Sequence, residues 1–434
     1  MKKLYIFITT LALGSFTSYA QELLTIKDAV AIALSQNYDI QLSQNDKNIT
    51  AESVSIGAAG FLPNLTANLT QNNSVMNSEQ TQSSGVVRSL KNAKNNNLSY
   101  GVSLGWTVFD GLDMFKRYDI LKETDNFQEA QFKQAVLETI SLVMVNYYNI
   151  VEQTNVHKAL ESVKEISLER YNIAEARFKI GKASKLEVLN AQVNLNEDES
   201  NLIRQVNTIQ SLKIQLNRLL ARELATNFEV EKEMSYDELL TYTDLYETAM
   251  QQNPEIMKIE ISRRLAELNL QQVKAKRYPT VRVNAGYNFN ESESSLGFTT
   301  HANSHGFNYG LAVSMNLFDG LTQHRNERIA KINIESMDLR VKNQNEQLST
   351  LLLTAFNNFQ TFQSLVKVEE NNVGLAKNSL DITNDKFKIG TVSSVEFRDS
   401  QENYINAVSR YNAALLDTKL AEIELKQIMG KLDI

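Results

Sequence analysis

Few side chains in this sequence are of types that do chemistry, and their spacing assembles none of them into a reacting group. Glu396 and Asp399 stand three apart, which places both carboxylates on one helical face. By spacing alone they read as two solvated surface acids. The four histidines are His157, His301, His305 and His324. His301 and His305 are four apart but fall between two strand-like segments, so they read as exposed loop residues and not as a metal pair. His157 lies in a long helical stretch and reads as a surface or packing residue. No Gly-rich phosphate loop, HExxH pair or nucleophile elbow occurs. With no Cys among 434 residues, disulfides, thiol chemistry and Cys-ligated metals are excluded. The expectation is a protein that is not an enzyme and needs no cofactor. Its 51 acidic against 44 basic side chains, net charge −7, argue against a nucleic-acid partner.

The informative residues are those that build elements. Only 3 Pro and 16 Gly punctuate the chain, so long uninterrupted elements are expected. The first twenty residues read as a secretory signal peptide: Lys2 and Lys3, an apolar run from Leu4 to Leu13, and the small-x-small site Ser18-Tyr19-Ala20 before Gln21. No later stretch of eighteen apolar residues suggests a membrane helix.

The remainder is one plan written twice. Phe109-Asp110-Gly111 recurs as Phe318-Asp319-Gly320, and Phe178-Lys179-Ile180-Gly181 as Phe387-Lys388-Ile389-Gly390, both 209 positions on. Upstream, Pro63 and Pro279, and the Asn37-Tyr38 and Asn253-Pro254 pairs, are offset by 216. The offset changes within a segment rich in Asn, Ser and Gln, as a surface loop tolerates. This predicts two structural repeats, 21–234 and 235–434.

Each repeat holds two strands with period-two alternation, at about 61–72 and 97–108, then 280–290 and 306–317. Leu98, Tyr100, Val102, Leu104, Trp106 and Val108 alternate with Ser, Gly and Thr, and the second copy follows suit from Phe307 to Leu317. One face is apolar and aromatic; the other is Ser, Thr, Asn and Gly. Trp106 and the strand tyrosines are candidates for interfacial aromatic belts. Ten-residue strands suit a tilted membrane crossing, but four are too few to close a barrel, so several chains must pool theirs.

Each repeat also holds a very long helix and its return. Helices are predicted at about 112–177 and 184–220, then 321–386 and 393–430, with only Gly374 interrupting the second long run. Val188, Leu195, Leu202, Ile209 and Leu216 recur every seven residues, with Leu212 and Leu219 in a second row, as in a coiled coil. Phe397, Tyr404, Tyr411 and Leu425 keep that register in the second copy, where Thr418 breaks the row. Gly181 and Gly390 suit left-handed C-terminal caps, and Asp110 and Asp319 suit caps of the first turns.

This pattern resembles the TolC family of bacterial outer-membrane efflux proteins. The most specific residues are Arg177-Phe178-Lys179-Ile180-Gly181 with Ser184, Glu187-Val188-Leu189 and Ala191-Gln192, and Phe387-Lys388-Ile389-Gly390 with Ser394, Glu396 and Gln401. The family often has a second Gly after Phe-Asp-Gly, where this chain has Leu112 and Leu321. The resemblance implies a mainly α fold with a β-barrel part. Long coiled-coil helices form an α-barrel, and four transmembrane strands per chain enter a twelve-stranded barrel completed by a homotrimer in outer-membrane lipid. It implies a small mixed region near 221–253 and the chain ends, loops at 73–97 and 291–305 outside the cell, and a periplasmic tip at the two turns. The tip residues Gly181, Gly390, Phe178, Phe387, Ser184 and Ser394 would meet a periplasmic adaptor protein that links the duct to an inner-membrane RND or ABC transporter. Glu396 and Asp399 would ring the constriction, with Glu187 and Asn190 at the matching places of the first repeat. Arg177, Lys185, Glu187, Asn190 and Arg398 are candidates for contacts that hold the tip closed. The rival readings are a periplasmic coiled-coil structural protein and an adaptor, neither with a pore.

Overall fold

The structure is a computed structural model and describes residues 22–295 and 299–432, so the leader lies outside the described residues. Its elements are β1 (Glu22–Leu24), α1 (Ile26–Gln36), α2 (Tyr38–Ser53), β2 (Asn64–Thr81), β3 (Val87–Phe109), α3 (Asp113–Lys179), α4 (Lys185–Leu219), β4 (Phe228–Val230), α5 (Tyr242–Gln252), α6 (Pro254–Ala275), β5 (Thr280–Ser294), β6 (His301–Ser314), α7 (Thr322–Ile389) and α8 (Ser394–Met429). No described helix is long and apolar enough to cross a membrane.

The chain divides into two compact units, and these are not the sequence halves. One gathers residues up to 41, 136–249 and from 350 onward; the other gathers 42–135 and 250–349. Each therefore draws on both repeats.

The second unit carries a four-stranded antiparallel sheet in the order β2-β3-β5-β6. Its register aligns side chains by chemistry. Leu69, Tyr100, Phe289 and His305 lie across from one another, as do Ala67, Val102, Tyr287 and Phe307. One residue on, the rows are Thr70-Ser99-Asn290-Ser304 and Asn68-Gly101-Asn288-Gly306. One face is thus apolar; the other is polar and small, tied by bonds such as Ser99 Oγ to Asn290 Oδ1 at 2.7 Å and Asn288 Nδ2 to Asn308 Oδ1 at 2.9 Å. Among the described residues nothing covers much of the apolar face: Leu69 is 72% exposed, Phe307 65% and Tyr309 81%. Tyr100 stacks on Phe289 with ring centres 4.9 Å apart, and Trp106 donates to the Phe61 carbonyl at 2.8 Å.

The strands differ from their sequence boundaries. β2 and β3 continue as a paired hairpin through most of 73–97, and β5 and β6 through most of the described part of 291–305, where loops were expected. Ladder bonds join backbones, so they persist where both faces are polar and alternation gives no signal. His301 and His305 accordingly lie on a strand, His305 stacked on Phe289. β6 stops at Ser314 and not 317, because its last partner, Thr280, follows Pro279, which has no N–H to donate.

The first unit holds the mixed region. β1 pairs in parallel with β4, and the Tyr147 hydroxyl of α3 donates to the Leu24 carbonyl at 2.9 Å and accepts from the Glu231 N–H at 3.1 Å, fastening the helix to both strands. Burial pushes that phenol well above its ordinary pKa. Leu24, Val30, Val143, Ile150, Leu216 and Phe228 form the core around it. Along α4 the heptad row stays covered, with Val188 and Leu216 fully buried. On α8, Thr418 does not interrupt the row. It is fully buried, and its hydroxyl donates to the Ala414 carbonyl at 2.8 Å. Gly374 sits inside α7 without ending it.

The repeat is visible in local geometry. Asn37 and Asn253 both accept from the N–H groups two and three residues on, opening α2 and α6. Asp110 and Asp319 both accept from the N–H four residues on.

Candidate functional site

The residues singled out in the sequence collect at the two turns that join the long helices to their returns, all within the first unit. Both turns are built alike. The Gly181 N–H donates to the Phe178 carbonyl and the Lys182 N–H to the Arg177 carbonyl; Gly390 and Thr391 repeat this with Phe387 and Lys386. Gly181 at φ 78° and Gly390 at φ 84° hold the left-handed position that this motif requires. Three residues later a serine caps each returning helix: Ser184 Oγ accepts from the Glu187 N–H and Ser393 Oγ from the Glu396 N–H, both at 3.2 Å. The counterpart of Ser184 is therefore Ser393. Ser394, paired with it from sequence, is the first residue inside α8.

Between the turns the two repeats meet. Arg177 Nη2 donates to the carbonyls of Phe387 at 3.2 Å and Lys388 at 2.8 Å, so one turn's arginine caps the other's helix end. Arg170, only 3% exposed, donates from Nη2 to the Ser394 carbonyl at 3.3 Å and lies 5.4 Å and 5.3 Å from the ring centres of Phe387 and Phe397. Arg398 reaches α4, with Nη1 2.8 Å from Asp198 Oδ1 and Nη2 3.2 Å from Glu197, and its Nε bonds Glu402 at 3.0 Å. Asp198 is itself buried; its second oxygen accepts from Ser167, which also accepts from Gln401.

The charges in this cluster oppose one another. Burial works against the charge of Arg398, but Asp198 overrides it and raises the guanidinium pKa, helped by Glu197 and Glu402. Burial lowers that of Arg170, and the nearby Arg398 lowers it further, against the pull of Glu187 and Asp198. Among the described residues, Arg170 Nη1 and Gln401 Oε1 have no hydrogen-bond partner.

The other candidates are placed differently. Glu396 and Asp399 are exposed on α8, and among the described residues no side chain bonds either carboxylate. Asn190 is exposed, and Glu187 touches the cluster only through its charge on Arg170. Phe178 is 40% exposed beneath the Lys185 ammonium, whereas Phe387 is buried against Phe397. The repeats are thus unequal at the same position.

Arg170, Ser167 and Asp198 were missed in the sequence, and Asp198 left a signal. Continuing the row Leu219, Leu212 back by sevens gives Gln205, Asp198 and Ala191, all inward-facing. The acid sits in an Asn-Glu-Asp-Glu run that reads as solvated surface.

A family model described as outer membrane efflux protein matches residues 29–222 and 245–431. The chain belongs to that family. The outer membrane protein TolC of Escherichia coli (strain K12) is 20% identical over 450 residues, covering all of this chain and 87% of the relative. TolC of Vibrio cholerae is 19% identical over 439 residues, covering all of this chain and 96% of the relative. Among solved structures, the Campylobacter jejuni CmeC outer membrane channel matches with TM-score 0.75 at 16% identity, over 93% of this chain and 85% of that one. The outer membrane protein VceC of Vibrio cholerae matches with TM-score 0.72 at 15% identity, over 94% and 96%. As a member of the outer membrane efflux protein family, this is an outer-membrane efflux channel with a mainly α fold and a β part. The family is one of channels and not of enzymes. A periplasmic rod or adaptor without a pore does not fit it.

Proposed function

We propose that three copies of this chain form a passive exit duct, fed by an inner-membrane RND or ABC pump through a periplasmic adaptor, with the tip turns as the closed end and docking site. The observation that carries the reading is the four-stranded sheet. Along its alternating stretch it has one largely apolar face and one polar face, both largely exposed, and no described strand on the outer edge of β2 or β6. In lipid each unpaired backbone group costs several kcal/mol, so the edges must be met by other copies. Four strands fall short of the roughly eight that close a membrane barrel, and three copies supply twelve. The alternating stretch from Leu98 to Val108, at about 3.4 Å per residue and a tilt near 40°, spans about 25 Å, the height of a membrane barrel's apolar band.

The helices support the same assembly. Val368, Leu375, Ile382 and Ile389 repeat every seven residues on α7 and are 55–75% exposed, a seam left uncovered by the described residues. Glu396 and Asp399, exposed and unengaged, supply the acidic ring at the constriction. Such a ring attracts cations and repels anions. In planar bilayers the wild type is expected to be cation-selective, and Glu396→Gln with Asp399→Asn to lose most of that selectivity. Unchanged selectivity in the double variant would remove these acids from the passage.

A further inference from the structure

A pocket of about 390 Å³ in the first unit lies away from the tip, between α3, α4 and the segment around β4. Three lysines from three elements converge on it: Lys158, Lys213 and Lys232. Among the described residues none of them has an ion-pair partner, whereas other lysines of α3, such as Lys164 and Lys179, do. Among the described residues Lys213 Nζ bonds only the Asn227 amide oxygen, at 3.1 Å, and lies over the Phe228 ring. Of the two acids in the lining, Glu161 stands 3.6 Å from His157 and also pulls on Lys158, and Glu229 pulls on Lys213, neither within ion-pair distance of a lysine. Val206 and Ile209 give the pocket an apolar wall.

Lys158 and Lys232 are held side by side. Burial first, then the Lys232 charge and a hydrogen bond with Lys232, lower the Lys158 pKa against the pull of Glu161, and burial lowers that of Lys213 against the pull of Glu229. An anion placed among the three ammonium groups replaces that repulsion with attraction and charge-assisted hydrogen bonds. We propose that this pocket binds a small organic anion, a phosphate or carboxylate group carried on an apolar body. The site is independent of the duct reading and would exist whatever the channel exports.

The test uses the full-length protein purified in detergent, treated at neutral pH with a mild amine-acetylating reagent and mapped by peptide mass spectrometry. The probes are phenyl phosphate, benzoate and inorganic phosphate. Lys158 is expected to react several-fold faster than Lys179, since a lowered pKa leaves more free amine. Phenyl phosphate or benzoate should protect Lys158, Lys213 and Lys232 saturably, while Lys179 and Lys388 stay unprotected. The stronger of the two names the ligand's anionic group. In Lys232→Met, protection of Lys213 should need on the order of tenfold more probe, as for the loss of one charged hydrogen bond. Protection that never saturates, that is equal at Lys179 and Lys388, or that survives Lys232→Met unchanged would overturn the site. Inorganic phosphate protecting as well as phenyl phosphate would overturn its organic character.

Discussion

Arg398 ties the second repeat to the first through Asp198, and the tie is asymmetric in what its loss costs. Asp198→Ala leaves Arg398 and Arg170 in a buried place without the carboxylate that offsets them. Breaking such a pair costs about 3–5 kcal/mol, toward the lower end here because Glu197 and Glu402 remain. The expected outcome is a tip that opens, read as a several-fold larger conductance than wild type. Asp198→Leu combined with Arg398→Leu removes both charges and should restore most of the closed behaviour; a double variant as leaky as the single would show that the pair acts otherwise. Glu152 makes a separate prediction. It is 7% exposed, and burial, with the Asp417 charge and against a bond from Gln153, raises its pKa. A raised carboxyl holds its proton better folded than unfolded, so its contribution is full below the unfolded value near 4.3 and is lost as pH rises through the folded one. Glu152→Gln should therefore raise the melting temperature at neutral pH, with the gain vanishing toward pH 4.

The elements show how far local sequence reaches. The long helices, their glycine turns, the capping Asp110 and Asp319, and the heptad on α4 were legible because each is a local pattern with a local cause. The hairpin beyond Asn72 was not, because pairing continues there without alternation. The buried Asp198 was not, because its neighbours are solvated acids and its burial comes from α3 and α8. The two sheet-to-helix turns carry a strain that the sequence hinted at. Leu112 at φ 73° and Leu321 at φ 65° follow Gly111 and Gly320, so two successive residues are left-handed in each repeat. A leucine there costs about 1–2 kcal/mol, and both side chains are more than half exposed, so little contact offsets it. Leu112→Gly and Leu321→Gly should each stabilise the protein by about 1 kcal/mol, seen as a higher unfolding midpoint; lower midpoints would mean that these leucines are held by contacts outside one chain.

At the scale of the molecule, the proposed assembly would set the largely apolar sheet face in lipid and join copies at the outer edges of β2 and β6, which have no neighbour among the described residues, and along the exposed α7 seam. Leu375→Asp, in the middle of that seam, should weaken trimer assembly on native gels while leaving the monomer helical by circular dichroism. The turn at 82–86 ends the longest hairpin and should carry an epitope tag that antibody reaches on intact cells. The most direct test of the whole account is single-channel conductance of the purified protein in planar bilayers, with Asp198→Ala alongside. The account predicts a small, cation-selective conductance in wild type that grows several-fold in the variant. Folded trimer that conducts in neither form would contradict it.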